Sequence, residues 1–458
     1  MTLIKSISGI RGTIGGCVGD NLTPLDLVRF VSAYCKWLRG GDRSRRLRVV
    51  LGRDARISGA MVSSVVEGTL TGCGVEVINI GLATTPTTEM AVTGFGADGG
   101  IILTASHNPK QWNALKLLGG NGEFLDAADG ARVLEAAAAE DFDYADVDAL
   151  GSVVHTSYDK EHIDAVLALP LVDVEAVRAA HLKVVVDAVN SVGGKVIPEL
   201  LERMGVEVVP LNCQPTGHFA HNPEPVPANL TEIAAAVPAT GAAMGIVVDP
   251  DVDRLALISE DGSMFGEEYT LVAVADYVLS SVKGTAVSNL SSSRALADVA
   301  ASHGCAYQAA AVGEVNVVAK MKQTGAVIGG EGNGGVIYPE LHYGRDALAG
   351  VALFLTWYVK KGLSMTALRA SYPDYVISKN KIELSPSTDV DAILDAVKAH
   401  YASERITDID GVKIDFADGW VHLRKSNTEP IIRIYSEAHD SKRADELYEG
   451  VRDVVNSL

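Results

Sequence analysis

The stretch GGIILTASHNP, residues 99–109, is a continuous apolar run that ends abruptly in a polar turn. Runs of the same kind, LRVVLGRD (47–54) and VEVINIG (75–81), precede it, with helical stretches between them. Strands that alternate with helices are typical of an α/β layer fold. The pattern restarts at LKVVVDAVN (182–190) and again at GTAVSNL (284–290), so the sequence predicts three successive α/β units.

The predicted strands are nearly continuous apolar runs, as expected of parallel or mixed sheets that are covered on both faces. Each one ends in a polar or glycine-rich loop, which is where ligand sites lie in such folds. After the helical stretch 347–362 the pattern changes, and the remaining chain is typical of a smaller α+β domain that begins near Ser371. We therefore expect four domains, with the ranges 1–150, 151–255, 256–370 and 371–458.

Length and charge limit the possible functions of the chain. Its 458 residues are enough for about three or four compact domains. The 39 Lys and Arg residues against 58 Asp and Glu residues give a formal charge of −19, which repels nucleic acids and anionic membranes. We expect no nucleic-acid or membrane partner, and a site for an anionic ligand must concentrate basic side chains locally.

The cysteines and the N-terminus indicate a reducing compartment. The five cysteines are odd in number and scattered, and no pair has the CxxC spacing of a metal or redox motif. The N-terminal residues MTLIKSISGIRG lack the apolar core of a signal peptide, and no apolar run is long enough to span a bilayer. We expect reduced thiols and a cytoplasmic protein.

The motif TASHNP (104–109) directly follows the apolar strand GGIIL. A serine at a strand end, followed by His107 and by an Asn-Pro pair that disfavours helix, is exposed on a fixed turn, so Ser106 is a candidate nucleophile. The alternative is a polar turn in which Ser106 only caps backbone groups. The motif is not a GxSxG elbow and no base-orienter pair is adjacent, which argues against a Ser-His-Asp hydrolase.

The motif DPDVDR (249–254) lies between the apolar runs GIVV and LALIS. In an extended loop residues i, i+2 and i+4 point the same way, so Asp249, Asp251 and Asp253 can converge on one hard cation such as Mg²⁺, with a phosphate oxygen completing its shell. An EF-hand is rejected because Arg254 replaces the glycine at its sixth position and both flanks are predicted strands. A solvated acidic turn is the remaining alternative.

Two further loops carry polar groups suited to a phosphorylated sugar. In GGEGNGGV (329–336), Glu331 and Asn333 can exchange hydrogen bonds with sugar hydroxyls, and a plain glycine turn is the alternative. The loop RKSNTEPIIR (424–433) concentrates the arginine, hydroxyl and amide donors that a phosphate dianion requires, and a surface loop that pairs with Glu429 is its alternative. Its candidate phosphate-binding residues are Arg424, Ser426, Asn427, Thr428 and Arg433.

In this order, TASHNP, DPDVDR, the glycine-rich loop and RKSNTEP resemble the motifs of the α-D-phosphohexomutase family over essentially the whole chain. The resemblance extends to SGIRG around Arg11, GRDARISG around Arg53 and HNPEP at 221–225. It implies an enzyme that moves phosphate between C6 and C1 of a hexose phosphate. The implied fold is three mixed-sheet α/β domains plus a smaller C-terminal α+β domain around a central cleft.

The resemblance also implies a role for each motif. Ser106 corresponds to the family's phosphoserine and, with the three aspartates, to the ligands of one Mg²⁺ ion per chain. Lys116 matches the lysine that assists proton transfer, and Arg11 and His107 join Ser106 and Lys116 as catalytic residues. Glucose- or glucosamine-1,6-bisphosphate is the implied intermediate and activator. The implied substrate-binding groups are Arg254, Glu331, Asn333 and the loop 424–433.

The glycine-rich loop departs from the family pattern, which carries Glu-x-Ser followed by Gly-His. Here Asn333 and Gly335 stand where that serine and histidine would be. The combination of SGIRG, GEGNGG and TEP is most similar to the phosphoglucosamine mutase branch, so we expect glucosamine 6-phosphate as the preferred substrate. We expect the protein to be a monomer or a homodimer. Broad phosphomannomutase and phosphoglucomutase specificity is the alternative, and a sugar-phosphate phosphatase or a non-catalytic sugar-phosphate binding protein is further from the pattern.

Overall fold

The computed structural model describes residues 2–6, 9–42, 44–383, 389–425 and 431–457. These residues form four sheets, one after another along the chain. Among them, no helix combines the length and the apolar character needed to cross a membrane.

The first unit is a mixed sheet with helices. Its strands are β1 (Ile4–Ser6), β2 (Gly9–Thr13), β3 (Leu47–Arg53), β4 (Val75–Leu82), β5 (Gly99–Leu103), β6 (Trp112–Gly119) and β7 (Val153–His155). Its helices are α1 (Pro24–Arg39), α2 (Gly59–Gly72), α3 (Thr85–Gly94) and α4 (Ala127–Ala139). The strand order is β1-β2-β6-β5-β3-β4-β7, and the pairs among β5, β3, β4 and β7 are parallel while the others are antiparallel.

The second and third units repeat one plan, in which three parallel strands end in an antiparallel fourth. The second contains β8 (Lys183–Asp187), β9 (Glu207–Leu211), β10 (Met244–Val248) and β11 (Leu255–Ile258), in the order β11-β10-β8-β9. The third contains β12 (Thr285–Asn289), β13 (Ala306–Ala310), β14 (Ile328–Glu331) and β15 (Gly335–Ile337), in the order β13-β12-β14-β15. In both units the antiparallel pair is a hairpin, with three aspartates in the loop of the second unit and Glu331 at the end of β14 in the third.

The helices of these two units follow the expected alternation. Those of the second are α5 (Asp159–Leu167), α6 (Val174–Ala179), α7 (Gly193–Arg203) and α8 (Thr231–Thr240). Those of the third are α9 (Glu267–Ser281), α10 (Ala295–Ser302), α11 (Glu314–Thr324), α12 (Ala347–Lys361) and α13 (Met365–Ala370). Helix α12 begins where the Asp346 side chain accepts from the amides of Leu348 and Ala349, and it ends at left-handed Gly362.

The last unit is smaller, and its sheet is antiparallel throughout. It contains β16 (Val376–Glu383), α14 (Val390–His400), β17 (Arg405–Thr407), β18 (Val412–Phe416), β19 (Gly419–Lys425), β20 (Ile431–Ala438) and α15 (Ser441–Asn456). The strand order is β16-β20-β19-β18-β17. The predicted fold class, three mixed-sheet α/β units followed by a smaller α+β unit, is confirmed. The domain boundaries stay a prediction, and Ser371, placed near the last one, lies directly after α13.

One strand next to the candidate nucleophile was not predicted as a strand. Strand β6 has the sequence WNALKLLG, in which Asn113 and Lys116 interrupt the apolar pattern. Both side chains are nevertheless buried, because β6 lies between β2 and β5 inside the sheet. The strand therefore brings a buried lysine alongside the strand that leads to Ser106.

The second and third units share one hydrophobic core. This cluster joins the buried face of β8 and β10 to side chains of α9, α10 and α12, whereas the first and last units have clusters of their own. Phe354 of α12 is 1% exposed and packs edge-to-face on Phe265, with ring centroids 5.5 Å apart. A shared core makes the two units one rigid support for their loops.

We expect Phe354→Ala to destabilise both units together, because the truncation opens a cavity that costs roughly 3–5 kcal/mol of unfolding free energy. Hydrogen exchange should then show faster exchange for amides in both β10 and β14, with β3 unaffected. Leu363→Ala, at a position 39% exposed, is the matched control and should change exchange little. Faster exchange confined to one of the two sheets would contradict a shared core.

Candidate active site

Ser106 lies in a rigid turn at the end of β5. Its backbone has a left-handed φ of 47°, and its amide donates to Thr104 Oγ1 at 2.9 Å. Thr104 Oγ1 in turn donates to Asp54 Oδ2 at 2.7 Å, and the guanidinium of Arg56 donates to that carboxylate and to the carbonyl of Ser106. The side chain is only 8% exposed. The turn therefore fixes the direction of the hydroxyl, but the prediction that Ser106 is exposed is wrong, because the turn packs against the acidic cluster of the second unit.

Three carboxylates meet at the end of β10. Asp249, Asp251 and Asp253 are fully buried, and one oxygen of each lies within 4.8 Å of the others. The predicted convergence is present, but the extended loop given as its cause is wrong. The chain instead makes a tight turn in which the amide of Val252 donates to the carbonyl of Asp249 at 3.1 Å, with Val252 at a left-handed φ of 64°.

The oxygen atoms of this turn suit a hard cation. Oδ1 of Asp251 and Oδ1 of Asp253 are buried and have no hydrogen-bond partner among the described residues. Burial, together with the charges of Asp251 and Asp253, raises the pKa of Asp249 well above its usual range. Buried carboxylate oxygens are stable only when a donor or a cation compensates them, and Mg²⁺ prefers carboxylate ligands. The residues present therefore fit a divalent cation.

The two motifs come into direct contact. Ser106 Oγ donates to Asp249 Oδ2 at 2.8 Å, although the two residues belong to different units. The loop around Asp251 is also joined to the first unit, because Thr85 donates to it twice, from its amide to the Asp251 carbonyl and from Oγ1 to Oδ2. The candidate nucleophile is thus held at the edge of the acidic cluster.

Lys116, on β6, completes this side of the cluster. Its Nζ lies 2.8 Å from Asp251 Oδ2 and 3.5 Å from Asp253 Oδ2. Burial alone would lower the pKa of the ammonium, but the two carboxylates outweigh this effect and raise it above its usual value. Lys116 therefore stays charged, and its predicted part in proton transfer remains a prediction.

Arg11 and Arg254 form the cationic side of the site, next to His107. Burial and the neighbouring charge of Arg254 lower the pKa of Arg11, and the same two causes hold the pKa of His107 well below its usual range. His107 Nδ1 is 3.4 Å from Ser106 Oγ. Arg254 Nε is buried without a hydrogen-bond partner among the described residues. Two guanidinium groups that repel each other electrostatically favour an anion between them or beside them.

The glycine-rich loop follows β14, and its carboxylate is buried. Glu331 Oε1 accepts from Asn289 Nδ2 at 2.8 Å and from the amide of Gly313 at 3.1 Å. Asn333 lies within the same loop, with Nδ2 3.5 Å from Glu331 Oε2 and Oδ1 accepting from the amide of Gly335. This loop and the acidic turn touch directly, because the amide of Leu255 donates to the Gly334 carbonyl at 3.0 Å.

Arg345 joins the two loops, and the sequence analysis did not identify it. Its Nη2 is 2.6 Å from Asp253 Oδ2 and its Nη1 is 3.0 Å from Glu331 Oε2. Its Nε and its backbone amide both donate to the carboxylate of Glu314. The only local signal is an arginine beside Asp346, the capping residue before the apolar helix α12.

The predicted phosphate clamp lies on the last sheet. Arg424 on β19 is directly opposite Arg433 on β20, and Lys381 on β16 is opposite Arg433 on its other side. Arg424 Nε is buried and has no hydrogen-bond partner in the described part of the chain. Ser426, Asn427 and Thr428 lie outside the described residues. The described part of the clamp is thus a row of basic side chains across three strands.

Four models of one protein family match the chain in succession. They are described as phosphoglucomutase/phosphomannomutase alpha/beta/alpha domains I, II and III and the C-terminal domain, over residues 3–144, 160–262, 266–375 and 381–454. The chain belongs to the phosphoglucomutase/phosphomannomutase family. It is therefore a member of a family of mutases, which are isomerases, and acts on small phosphosugars.

Known proteins of this family are similar over the full length. A phosphoglucomutase/phosphomannomutase of Thermococcus kodakarensis is 37% identical over 452 residues, covering 98% of each chain. A probable phosphoglucosamine mutase of Methanopyrus kandleri is 33% identical, covering 98% of this chain and 96% of its own. A solved family protein of Burkholderia thailandensis has a TM-score of 0.86 at 25% identity, covering 100% of this chain and 98% of its own.

We expect Asp251→Asn to lower kcat by roughly a hundredfold or more, which corresponds to about 2.7 kcal/mol of activation free energy. The amide keeps the size of the side chain but removes a charged oxygen from the cation site, so Mn²⁺ binding followed by electron paramagnetic resonance should weaken too. Asp261→Asn, at an exposed turn after β11, is the control. Full activity in the presence of a chelator would contradict the assignment.

Proposed function

We propose that this chain interconverts hexose 6-phosphates and hexose 1-phosphates through a phosphoserine at Ser106 and a 1,6-bisphosphate intermediate, with glucosamine 6-phosphate as its preferred substrate. The observation that carries the proposal is the 2.8 Å contact between Ser106 Oγ and Asp249 Oδ2, beside two buried carboxylate oxygens without partners. A hydroxyl fixed at the edge of a cation site is the arrangement that phosphoryl transfer requires.

In this proposal the charged groups around Ser106 stabilise the phosphoryl group during its transfer. The phosphoserine gives its phosphoryl group to a free sugar hydroxyl: a bond from phosphorus to the sugar oxygen forms and the bond from phosphorus to the serine oxygen breaks. The proton of the sugar hydroxyl passes to neutral His107 and from there to the serine oxygen, and the charged Lys116 assists by stabilising the negative charge that develops on the oxygens. Bound Mg²⁺, held by the three aspartates and the Ser106 oxygen, would offset the charge of the phosphoryl oxygens. Arg11 and Arg254 would orient the same oxygens, since arginine forks match phosphate.

The bisphosphate must reverse its orientation between the two transfers, so that its other phosphate faces Ser106. The phosphate that points away from Ser106 therefore needs a binding site of its own. We assign this to Arg424 and Arg433, with Ser426, Asn427 and Thr428 of the same loop. The clamp lies on a unit with its own hydrophobic core, so movement of that unit can release and recapture the sugar. Glucose- or glucosamine-1,6-bisphosphate would prime an unphosphorylated enzyme.

The choice of glucosamine rests on the relatives and on the acceptors of the glycine-rich loop. Probable phosphoglucosamine mutases of Methanopyrus kandleri and Methanosarcina acetivorans are 33% and 32% identical to the chain. Glu331 and the amide oxygen of Asn333 can accept from a C2 ammonium. One observation favours broad specificity as the second candidate: Glu331 already pairs with Arg345, which weakens its attraction for an ammonium.

We expect Ser106→Ala to fold normally and to lose mutase turnover, because no hydroxyl remains to carry the phosphoryl group. After incubation with the bisphosphate, intact-mass analysis should find phosphate on the wild-type protein and on the control variant Ser64→Ala. It should find none on Ser106→Ala. Assays should follow free phosphate and sugar 1-phosphate together. Release of free phosphate as the main product would instead indicate a phosphatase, and turnover by Ser106→Ala would exclude the serine route.

We expect kcat/KM for glucosamine 6-phosphate to exceed that for glucose or mannose 6-phosphate, with measurable activity on all three. The margin should be modest, since the net contribution of one hydrogen bond is about 0.5–1.5 kcal/mol and hydroxyl sugars can use the same acceptors. The three substrates should be compared on enzyme primed with the matching bisphosphate. If glucose or mannose phosphate is preferred tenfold, which is about 1.4 kcal/mol, the amino-sugar assignment is wrong and the mutase assignment stands.

A further inference from the structure

Arg345 holds three carboxylates that come from three separate segments. The residue directly precedes helix α12, and only 8% of it is exposed. Its guanidinium reaches Asp253 of the acidic turn, Glu331 of the glycine-rich loop and Glu314 at the start of α11. Each nitrogen donates to a different carboxylate, so the planar fork sets the positions of all three relative to one another.

The contact with Asp253 determines which of its oxygens is available. Arg345 Nη2 binds Oδ2 at 2.6 Å, and Lys116 Nζ lies 3.5 Å from the same oxygen. Oδ1 is left buried without a hydrogen-bond partner among the described residues, 3.9 Å from Arg254 Nε, and Asp253 belongs to the cluster that fits a cation. Arg345 therefore orients the carboxylate of Asp253 through Oδ2 and leaves Oδ1 available to a cation.

The space for this side chain exists because position 335 is a glycine. A Cβ atom at Gly335 would lie 2.3 Å from Arg345 Cδ, which is closer than real atoms approach, and 3.1 Å from Cγ, which is a tight contact. Position 335 is also where the chain departs from the Gly-His of the family pattern. The absence of a side chain at Gly335 therefore makes room for the side chain of Arg345.

We propose that Arg345 is a positioning residue for phosphoryl transfer, which orients Asp253 toward the cation and links it to Glu331 in the space left by Gly335. The proposal rests on the function proposed above, but its contacts do not depend on the identity of the sugar. The alternative is that Arg345 serves only as a counter-charge for three buried carboxylates. The two differ in what they predict for variants that keep the charge or remove it.

The first test is Mn²⁺ binding to the full-length chain, followed by electron paramagnetic resonance, which needs no substrate. Arg345→Lys keeps the charge but loses the fork, so positioning predicts Mn²⁺ affinity about tenfold weaker, as for other groups that orient metal ligands. Arg345→Gln should weaken it as well. A mere counter-charge predicts unchanged affinity for Arg345→Lys and tighter binding for Arg345→Gln, because removal of a cation favours another; either result overturns the proposal.

The second test leaves the arginine in place. Gly335→Ala should displace Arg345 and reproduce the weaker Mn²⁺ binding, whereas in an Arg345→Ala background the same change should add little. Additive effects in this double-mutant cycle would overturn the link between the two positions. Should Arg345→Ala fail to fold, Gly335→Ala and Arg345→Lys still decide the matter. Arg369→Lys, at an ion pair with Asp374 on the surface, is the matched control.

Steady-state kinetics separate this proposal from the one it rests on. Arg345→Lys should lower kcat by a larger factor than it changes KM for the sugar phosphate, because its contact with Asp253 acts on the metal ligand whereas its contact with Glu331 acts on one substrate-binding group among several. If Ser106→Ala stays active, the phosphoserine route fails while the Mn²⁺ result for Arg345 keeps its meaning. If Mn²⁺ affinity stays within twofold in both Arg345→Lys and Gly335→Ala, the positioning role fails while the phosphoserine route can stand.

Discussion

The burial of three carboxylates within 4.8 Å of one another at the end of β10 is the constraint on which the arrangement of the site depends. Like charges without solvent repel strongly, and a folded chain tolerates them only when cations or donors compensate. The compensation comes from several segments, with Lys116 and Thr85 from the first unit and Arg345 from the third. The acidic turn is therefore stable only in the assembled protein.

The residue after Arg345 extends this dependence to the second unit. Asp346 caps α12, and its Oδ2 lies 2.8 Å from His162 Nε2 and 3.2 Å from His342 Nε2. Burial alone would raise the pKa of Asp346, but the two imidazoles outweigh it and hold that pKa well below its usual range. Two adjacent residues thus bind different kinds of partner: Arg345 contacts carboxylates, and Asp346 contacts histidines. Helix α12 is fixed at its start by both and along its length by the shared core.

The parts of this site that could be predicted are those in which the chemistry is local in sequence. Three aspartates spaced by two predict a shared cation, and Ser106 at a strand end predicts a fixed hydroxyl. The same reasoning gave the wrong backbone for the acidic turn, because alternation assumes an extended chain and Val252 adopts a left-handed φ. Such a conformation is rare for a β-branched residue, so no sequence rule would have favoured it.

Arg345 and β6 could not be predicted for a different reason. The partners of Arg345 are 92, 31 and 14 residues away along the chain, and only the fold brings them to one guanidinium. A single arginine between a glycine and an aspartate has no periodicity or spacing that indicates a site. Strand β6 was obscured in the same way, since the buried ammonium of Lys116 is compensated by Asp251 and Asp253, which lie in another unit of the chain.

Glu331 is ionised, but its oxygen atoms already accept hydrogen bonds from neighbouring residues. This limits how strongly Glu331 can bind a sugar in the proposed function. Burial favours the neutral acid, but Arg345 and Asn289 keep the pKa of Glu331 below its usual value, so the group is ionised. Its Oε1 already accepts two hydrogen bonds and its Oε2 accepts one from Arg345. Little negative potential and few lone pairs remain for a substrate ammonium, and a hydroxyl can use the same acceptors. For the function proposed above, a Glu331 carboxylate occupied in this way predicts only a modest preference at C2.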